Sequence, residues 1–554
     1  MYIIGTKLFH HDSAIFILDF QNKEIFALST ERITRVKHDP SFIAPILTGI
    51  NKDIFKKAEY IVYNPLWERD SLVKNFFYRY GINAKIEKKE HHLCHAASAY
   101  YFSPFYGKPT IVFTLDGKGD GKYGTLFLFN KNNYEKISFF KNQYLDNKKI
   151  EFYETSIGIL YLKFTSVLGL KSKINEKAKL FKRESEIDIL KALGNEGKTE
   201  ALAAYGEPDE KLYSLLKDGY SVDKENLCWN HNFEVLRKLH NIDFLKKWKE
   251  KVGDKNFAAT IQRWLEDTVV ELLNIVYEKY KIPRLAMAGG VVANVIMNLN
   301  IFERTPFKEI YIFPAMGDDG TAAGAAVLKA IELGYDISWL KEKEMPYWGP
   351  SYTKEEVAKE LEKERWKDKI KYTYIGENWQ EMAAEMIADG KIIAVFQGRM
   401  EFGPRALGNR SVLADPRDPY TREKLNKTIK RRPWFQPFCP SVLEEERERL
   451  FEKSYKNKHM TIAFRMKKEF WDKLPSAIHI DGTARPQFVE EKDNPNFYRI
   501  LKKFKERTGY GIVVNTSFNL HGRTIVMTPE DALKDFIDCN IDALFIEGYL
   551  IERK

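Results

Sequence analysis

The chain has 554 residues, a length at which one hydrophobic core no longer suffices and two or more domains are expected. Its 44% hydrophobic content, with 37 Phe and 29 Tyr, excludes a disordered chain, and the lack of any run of about 18 apolar residues excludes a membrane-spanning helix. The net charge of +10 permits anionic partners, whereas the four cysteines (Cys94, Cys228, Cys439, Cys539) are too sparse for a disulfide scaffold or a Cys-x-x-Cys site.

The opening stretch reads as strand, turn, strand: Tyr2–Gly5, polar His10–Ser13, Ala14–Phe20, a turn at Gln21–Lys23 and Ile25–Ser29. It carries no basic region or cleavage site, so the cytoplasm is the expected compartment. Thr110–Leu115 is an apolar run ending at Asp116-Gly117, and Tyr123–Phe129 is placed as its return. Apolar residues at Phe257, Ile261, Leu265, Val269, Leu272, Leu273 and Val276 make one stripe on a long helix. Leu285–Ala288 and Ile310–Phe313 are short strands running into glycine turns, and alanine-rich Ala322–Ile331 fits a helix packed close to a sheet. The alternation is α/β in character. Pro/Gly-punctuated Met345–Pro350 and the charged sequence after it mark a boundary, giving domains at 1–345 and 346–554. Met382–Ile387, Lys391–Phe396 and Gly511–Thr516 then give the second domain a helix and strands of its own. No internal repeat stands out.

His91 and His95 are spaced i, i+4 in His91-His-Leu-Cys-His95, so on a helix they share a face and can hold one metal. Two histidines do not close a site. Asp116, at a strand end, and Asp318, inside Gly317-Asp-Asp-Gly320, are the natural carboxylate partners. Such a mixed N/O set suits iron, manganese, zinc or magnesium; iron is the preferred expectation. The competing reading makes both histidines hydrogen-bonded structural residues. Glycine turns at Asp116–Asp120, Gly289–Asn294 and Gly317–Gly320 allow backbone N–H groups to approach phosphate, although most such turns are only turns.

Gln397-Gly-Arg-Met-Glu-Phe-Gly-Pro-Arg405-Ala-Leu-Gly-Asn-Arg410 is the least ordinary stretch. Arginine clamps phosphate with paired hydrogen bonds, and Glu401 is placed to orient one guanidinium. Lys430-Arg431-Arg432, His479–Arg485 and Asn515–Asn519 add polar groups bordering strands or turns. A surface salt-bridge network is the plainer alternative for any one of these segments.

These segments together closely resemble the carbamoyltransferase family that includes nodulation-factor and antibiotic-biosynthesis O-carbamoyltransferases. The resemblance rests on His10–Ser13, Glu31–Asp39, His91–Tyr101, Glu196–Lys198 with Leu202–Gly206, Gly289–Asn294, Pro314–Ala326, Gln397–Arg417, Phe435–Leu443, His479–Gln487 and Asn515–Asn519. It implies an N-terminal ASKHA (actin/sugar-kinase) domain, similar to the tRNA threonylcarbamoyl-adenosine synthases, and a C-terminal α/β carbamoyltransferase domain. It further implies metal ligands His91, His95, Asp116 and Asp318, and ATP contacts at Lys198, Gly289, Gly290, Asn294 and Gly317. Carbamoyl phosphate is expected at Arg399, Glu401, Arg405, Asn409, Arg410, Arg431, Arg485, Ser517 and Asn519. Two features depart from the family: Lys171–Glu186 reads as an insertion, and Arg523 stands where an acid is usual.

The expected reaction moves the carbamoyl group of carbamoyl phosphate through carbamoyl-adenylate to a hydroxyl of a small acceptor. Arg405 and Arg410 stabilise the leaving phosphate, and His10 or His11 takes the proton. ATP and a divalent metal are the cofactors; no nucleic-acid or membrane partner is expected, and a homodimer is compatible. The rivals are a tRNA-modifying transferase, a sugar-kinase-like phosphotransferase and a non-enzymatic nucleotide-binding scaffold.

Overall fold

The structure, a computed structural model, describes residues 2–8, 12–39, 43, 46, 52–64, 70–145, 154–171, 189 and 191–554. It divides into two compact units. The first holds Met1–Glu24, Pro40–Ile43 and Ile50–Glu344; the second holds Ile25–Asp39, Ala44–Gly49 and Met345–Lys554.

In the first unit β1 (Tyr2–Lys7) lies antiparallel to β2 (Ala14–Asp19) and parallel to β3 (Ala58–Tyr63), which lies parallel to β4 (Lys85–Lys88). A second sheet repeats the arrangement. Its β5 (Thr110–Gly119) is antiparallel to β6 (Lys122–Asn130) and parallel to β8 (Arg284–Ala288); β7 (Asn133–Lys141) extends one side and β9 (Glu309–Ile312) the other. The helices used below are α1 (His91–Tyr101), α2 (Ile157–Val167), α3 (Glu196–Ala203), α4 (Asp254–Tyr280), α5 (Val295–Arg304) and α6 (Thr321–Glu332).

The stripe predicted on α4 is observed: Phe257, Ile261, Leu265, Val269, Leu272, Leu273 and Val276 are at most 1% exposed. Small residues bring α6 against both β1 and α1. A Cβ on Gly324 would stand 1.8 Å from the Cys94 carbonyl oxygen of α1, and one on Gly5 would stand 1.8 Å from the Ala322 carbonyl oxygen of α6. Only residues without large side chains permit that approach. Every residue of α1 is buried, so its three histidines, His91, His92 and His95, face protein on all sides.

The second unit is built on one eight-stranded sheet in the order β10 (Ile370–Tyr374), β17 (Tyr549–Arg553), β16 (Ala543–Ile546), β11 (Ile393–Phe396), β12 (Arg410–Ala414), β15 (Ile512–Ser517), β13 (Cys439–Leu443), β14 (Gln487–Val489). Alternation along β11 assigns its two faces. Ile393 and Val395 pack with α7 (Trp379–Ala388) and α8 (Pro495–Thr508), whereas Ala394 and Phe396 pack with α9 (Pro529–Asp538). The segment Ile25–Asp39 is bonded into this unit. Ala27 N–H donates to the Trp348 carbonyl, Arg32 to the Gly403 carbonyl, Arg35 to Asp535, and Thr524 Oγ1 to the Glu31 carbonyl. Among the described residues no helix is long and apolar enough to cross a membrane.

Candidate functional site

Four side chains from three separate elements converge in the first unit. His91 and His95 stand one turn apart on α1, Asp116 lies in β5, and Asp318 sits in the short 3-10 turn Asp318–Gly320 leading into α6. His91 Nε2 is 3.2 Å from Asp116 Oδ2 and 3.5 Å from Asp318 Oδ1; His95 Nε2 is 3.8 and 3.4 Å from the same atoms. One ligand atom from each residue lies within 4.8 Å of all the others. Both imidazoles are fully buried.

The arrangement fits a cation on three counts. Neither ring nitrogen of His95 has a hydrogen-bond partner, a costly state for buried polar atoms unless something else binds them. Each carboxylate turns one oxygen toward the imidazoles while the protein holds its other oxygen. Gly290 N–H donates to Asp116 Oδ1 at 2.9 Å, and Lys7 Nζ stands 2.9 Å from Asp318 Oδ2. Asn64 lies 3.3 Å from His91 Nδ1 through Nδ2, leaving its Oδ1 unbonded. The turned amide, with Oδ1 accepting from Nδ1–H, satisfies both groups and frees Nε2 as a ligand. Burial lowers the pKa of His95, but Asp116 and Asp318 outweigh it and push the imidazole up to about 9. Burial and Asp318 push the Asp116 carboxyl up; the two imidazoles push it further down, below the usual carboxylate range. The paired negative charge thus calls for a positive partner.

The glycine turns beside these residues let the backbone close around them. A Cβ on Gly119 would stand 2.1 Å from the His91 ring, and one on Gly289 (φ 112°) would stand 2.2 Å from the Leu115 carbonyl oxygen. Gly289 N–H donates to the Met316 carbonyl and Gly290 N–H to Asp116, so these amides are spent within the protein rather than offered to phosphate. Gly317 caps the turn that carries Asp318. Asn294 Oδ1 caps α5 through Met297 N–H, and its amide pairs reciprocally with Gln262 at 2.9 and 3.0 Å. Gln262 also accepts from Tyr161 and donates to Glu266, whose carboxyl burial pushes up to about 7. Sequence reasoning had no signal for this polar lane. Lys198 is half-buried on α3.

In the second unit the Gln397–Arg410 loop is organised from within. Arg410 is fully buried, stacked 3.6 Å over the Phe396 ring, and donates to the carbonyls of Gln397, Gly398, Asn409 and Pro350. Arg399 donates to the Gly349, Trp348 and Ile25 carbonyls. Glu401 does not orient an arginine side chain: its Oε1 gathers the backbone N–H groups of Leu407, Asn409 and Arg410. Asn409 bonds the Arg399 carbonyl and Asn494. Arg399 and Arg410 therefore hold the loop's shape, in place of the phosphate clamp expected of them; Arg405 is half-buried within it.

A second group of cations gathers about Lys430, which bonds Ser517 and Asn519. Lys430 Nζ donates to Ser517 Oγ at 3.1 Å and to Asn519 Oδ1 at 3.0 Å. Arg432 donates to Asn426 Oδ1 and the Pro437 carbonyl and lies 4.1 Å over the Phe438 ring. Arg485 points two nitrogens at Cys439 Sγ, 3.0 and 2.6 Å away. Burial, then Arg432 and Lys37, depress the Lys430 ammonium far below the usual lysine range. Burial lowers Arg432 to about 10, with Cys439 opposing and Arg485 assisting. A buried lysine and two half-buried arginines with neutral partners favour an incoming anion. Arg431, by contrast, is left-handed (φ 41°) and exposed, so its two neighbours turn inward and it turns out. Arg523 bonds Asp535 and Asp538, which keeps its charge occupied away from Asn519. His10, His11 and residues 172–186 of the proposed insertion lie outside the described residues.

The family model for the carbamoyltransferase N-terminus matches residues 2–64 and 52–327, and that for the carbamoyltransferase C-terminus matches 384–553. The chain belongs to the carbamoyltransferase family. This carbamoyltransferase is 60% identical to an uncharacterised protein of Methanocaldococcus jannaschii, over 100% of this chain and 99% of the other. It is 32% identical to nodulation protein NolNO of Sinorhizobium fredii, over 85% and 64% of the two chains. Nodulation protein U of Rhizobium tropici is 28% identical over 60% and 57%. Among solved structures, full-length HypF in its phosphate- and nucleotide-bound form aligns with 61% of this carbamoyltransferase and 56% of its own chain, at 14% identity and a TM-score of 0.36, too low to bear on its site.

Proposed function

We propose that this carbamoyltransferase cleaves carbamoyl phosphate with water to phosphate and carbamate, that a carbamate oxygen attacks the α-phosphorus of ATP to release pyrophosphate and form carbamoyl-adenylate, and that a hydroxyl of a small acceptor then takes the carbamoyl group as AMP leaves. The first unit is then of the actin/sugar-kinase class, supported by its repeated unit of an antiparallel pair followed by two parallel strands. The observation that carries the reading is the convergence of His91, His95, Asp116 and Asp318 with His95 unbonded.

These four residues would hold a divalent cation, iron by preference, with manganese, magnesium or zinc as alternatives. When bound, such an ion supplies Lewis acidity toward phosphate and carbamoyl oxygens. Around it, Gly290 and Lys7 fix the carboxylates, and the buried walls of α1 exclude water from a mixed anhydride that water would destroy. Lys430, Arg432, Arg485, Ser517 and Asn519 receive the donor phosphate, where fixed donors stabilise negative charge as it leaves. Arg399, Glu401, Asn409 and Arg410 position the loop that carries Arg405 toward the same anion. Lys198 and Gly317 are the proposed nucleotide neighbours in the first unit. His10 and His11 remain the proposed acceptors of the hydroxyl proton, in a cytoplasmic enzyme.

The test is to incubate the protein with ATP, carbamoyl phosphate and ferrous ion and to identify the nucleotide products by mass spectrometry. AMP and pyrophosphate formed only when carbamoyl phosphate is present is the expected result. ADP formed without carbamoyl phosphate would assign phosphotransfer instead and overturn the reading.

A further inference from the structure

Lys7 closes β1 with 1% of its surface exposed. Burying a lysine is costly unless its charge is paired, and its ion-pair partner is Asp318 Oδ2 at 2.9 Å. A buried ion pair of this kind is weak evidence for stability, since apolar residues of similar volume serve as well or better. The pair is instead placed where its chemistry matters, because the other oxygen of Asp318 faces the two imidazoles.

Two consequences follow from the geometry. Lys7 makes an ion-pair contact with Asp318 Oδ2 and Gly290 N–H donates to Asp116 Oδ1, so the oxygens turned toward the imidazoles are Asp318 Oδ1 and Asp116 Oδ2. The protein therefore presents two nitrogens and two oxygens, and an ion that prefers six ligands keeps room for others. The second consequence is electrostatic. The two carboxylates cancel a divalent ion, and the lysine leaves one positive charge over. A buried site with that surplus attracts anions and disfavours neutral ligands.

We infer that Lys7 is a positioning residue of the metal centre, holding Asp318 to a single coordinating oxygen and giving the loaded site the positive charge that selects a phosphate-bearing carbamoyl donor. The inference rests on the reading of His91, His95, Asp116 and Asp318 as a metal site. It extends that reading to a residue whose place in a strand gave no hint of a role.

The experiment uses the full chain loaded with Mn²⁺, with solvent-water proton relaxation reporting the waters bound to the ion and AMP as the anionic probe. In the unsubstituted protein AMP displaces those waters, and adenosine, which lacks the phosphate, displaces few. Lys7→Met frees Asp318 Oδ2 to bind the ion, so fewer waters are expected before AMP is added. Its affinity for AMP should fall about tenfold, roughly 1.4 kcal/mol for a lost neighbouring charge. Lys7→Gln keeps a hydrogen-bond donor for Oδ2 without the charge. It should retain the water count yet share the weakened AMP binding, and it carries the comparison if Lys7→Met does not fold. Lys7→Arg should restore AMP affinity to about twofold of the unsubstituted value. Equal AMP affinity and equal hydration in all four proteins would overturn the role of Lys7 alone. Failure of the unsubstituted protein to take up Mn²⁺ would remove the metal reading first, and the role of Lys7 with it.

Discussion

Arg410, fully buried, and Arg432, half-buried, are guanidinium groups held by oxygen atoms and stacked on phenylalanine rings, with desolvation lowering each to about 10. Their surroundings nonetheless assign them different work. Arg410 ties four backbone carbonyls of one loop region together, and removing it takes the guanidinium donor from the Gln397 and Gly398 carbonyls, whereas those of Asn409 and Pro350 still accept from Gln397 and Met400 N–H. Arg432 sits beside Lys430 and Arg485 with neutral partners, so its charge is a burden until an anion arrives. Arg410→Met should therefore cost about 3 kcal/mol or more in denaturant unfolding. Arg432→Met should cost at most about 1 kcal/mol yet lose the rise in melting temperature that carbamoyl phosphate is expected to give the unsubstituted protein. Reversed outcomes would exchange the two roles. Sequence reading grouped His91, His95, Asp116 and Asp318, which the structure brings together, because i, i+4 spacing fixes a helix face and Asp116 follows an apolar run. It could not separate Arg410 from Arg432, nor Arg431 from its neighbours. Which way a guanidinium turns past a helix end depends on carbonyls brought in by distant segments. Lys7 was missed for a related reason: alternation in a strand marks a lysine as solvent-facing unless a buried acid awaits it.

At the scale of elements, α6 seats the proposed metal centre without contributing a ligand. The alanine-rich run Ala322–Ile331 announces close packing in the sequence, and the structure shows Gly324 seated against the Cys94 carbonyl in the middle of α1, between His91 and His95. A methyl group at position 324 has nowhere to go but into backbone. Gly324→Ala should force α1 away from Asp116 and Asp318, costing about 2–3 kcal/mol by overpacking and weakening Co²⁺ uptake, read from its visible absorption bands. Val395→Ala, in the core of the second unit, provides the contrast: a comparable loss of stability with Co²⁺ uptake unchanged. Uptake falling equally in both would mean that general loosening, rather than the seat of α1, sets metal affinity. The long α4 stripe and the strands at β5, β8, β11 and β15 were legible because periodicity is local. The Gln397–Arg410 loop was legible only as an oddity, since its shape comes from carbonyls supplied by residues 348–350 and 25.

On the scale of the whole molecule, the chain order of segments is not their spatial order. The change of composition near Met345 is visible in the sequence, and the contact pattern changes there as well. The strand read at Ile25–Ser29 is present as Glu24–Ser29, but the other bonds of Ile25–Asp39, to Trp348, Arg399, Gly403, Thr524 and Asp535, are not visible in the sequence. The doubled strand arrangement of the first unit is hidden likewise, because pairing partners leave no periodic trace. The consequence can be tested by cutting. A fragment of residues 345–554 lacks the chain that bonds Arg399, the Gly403 carbonyl and Asp535, a carboxylate 1% exposed. Arg523 alone would then neutralise Asp535, and the Gly403 carbonyl would lose its guanidinium donor. Breaking one side of such buried bonding costs about 1–3 kcal/mol per group, enough to consume much of the stability of a domain of this size. The fragment should therefore be protease-sensitive at the 397–410 loop. The same fragment supplied with a peptide of residues 25–39 should regain protection and melt cooperatively at a higher temperature. A fragment that resists protease equally well without the peptide would show that the segment is a passenger on a self-sufficient domain.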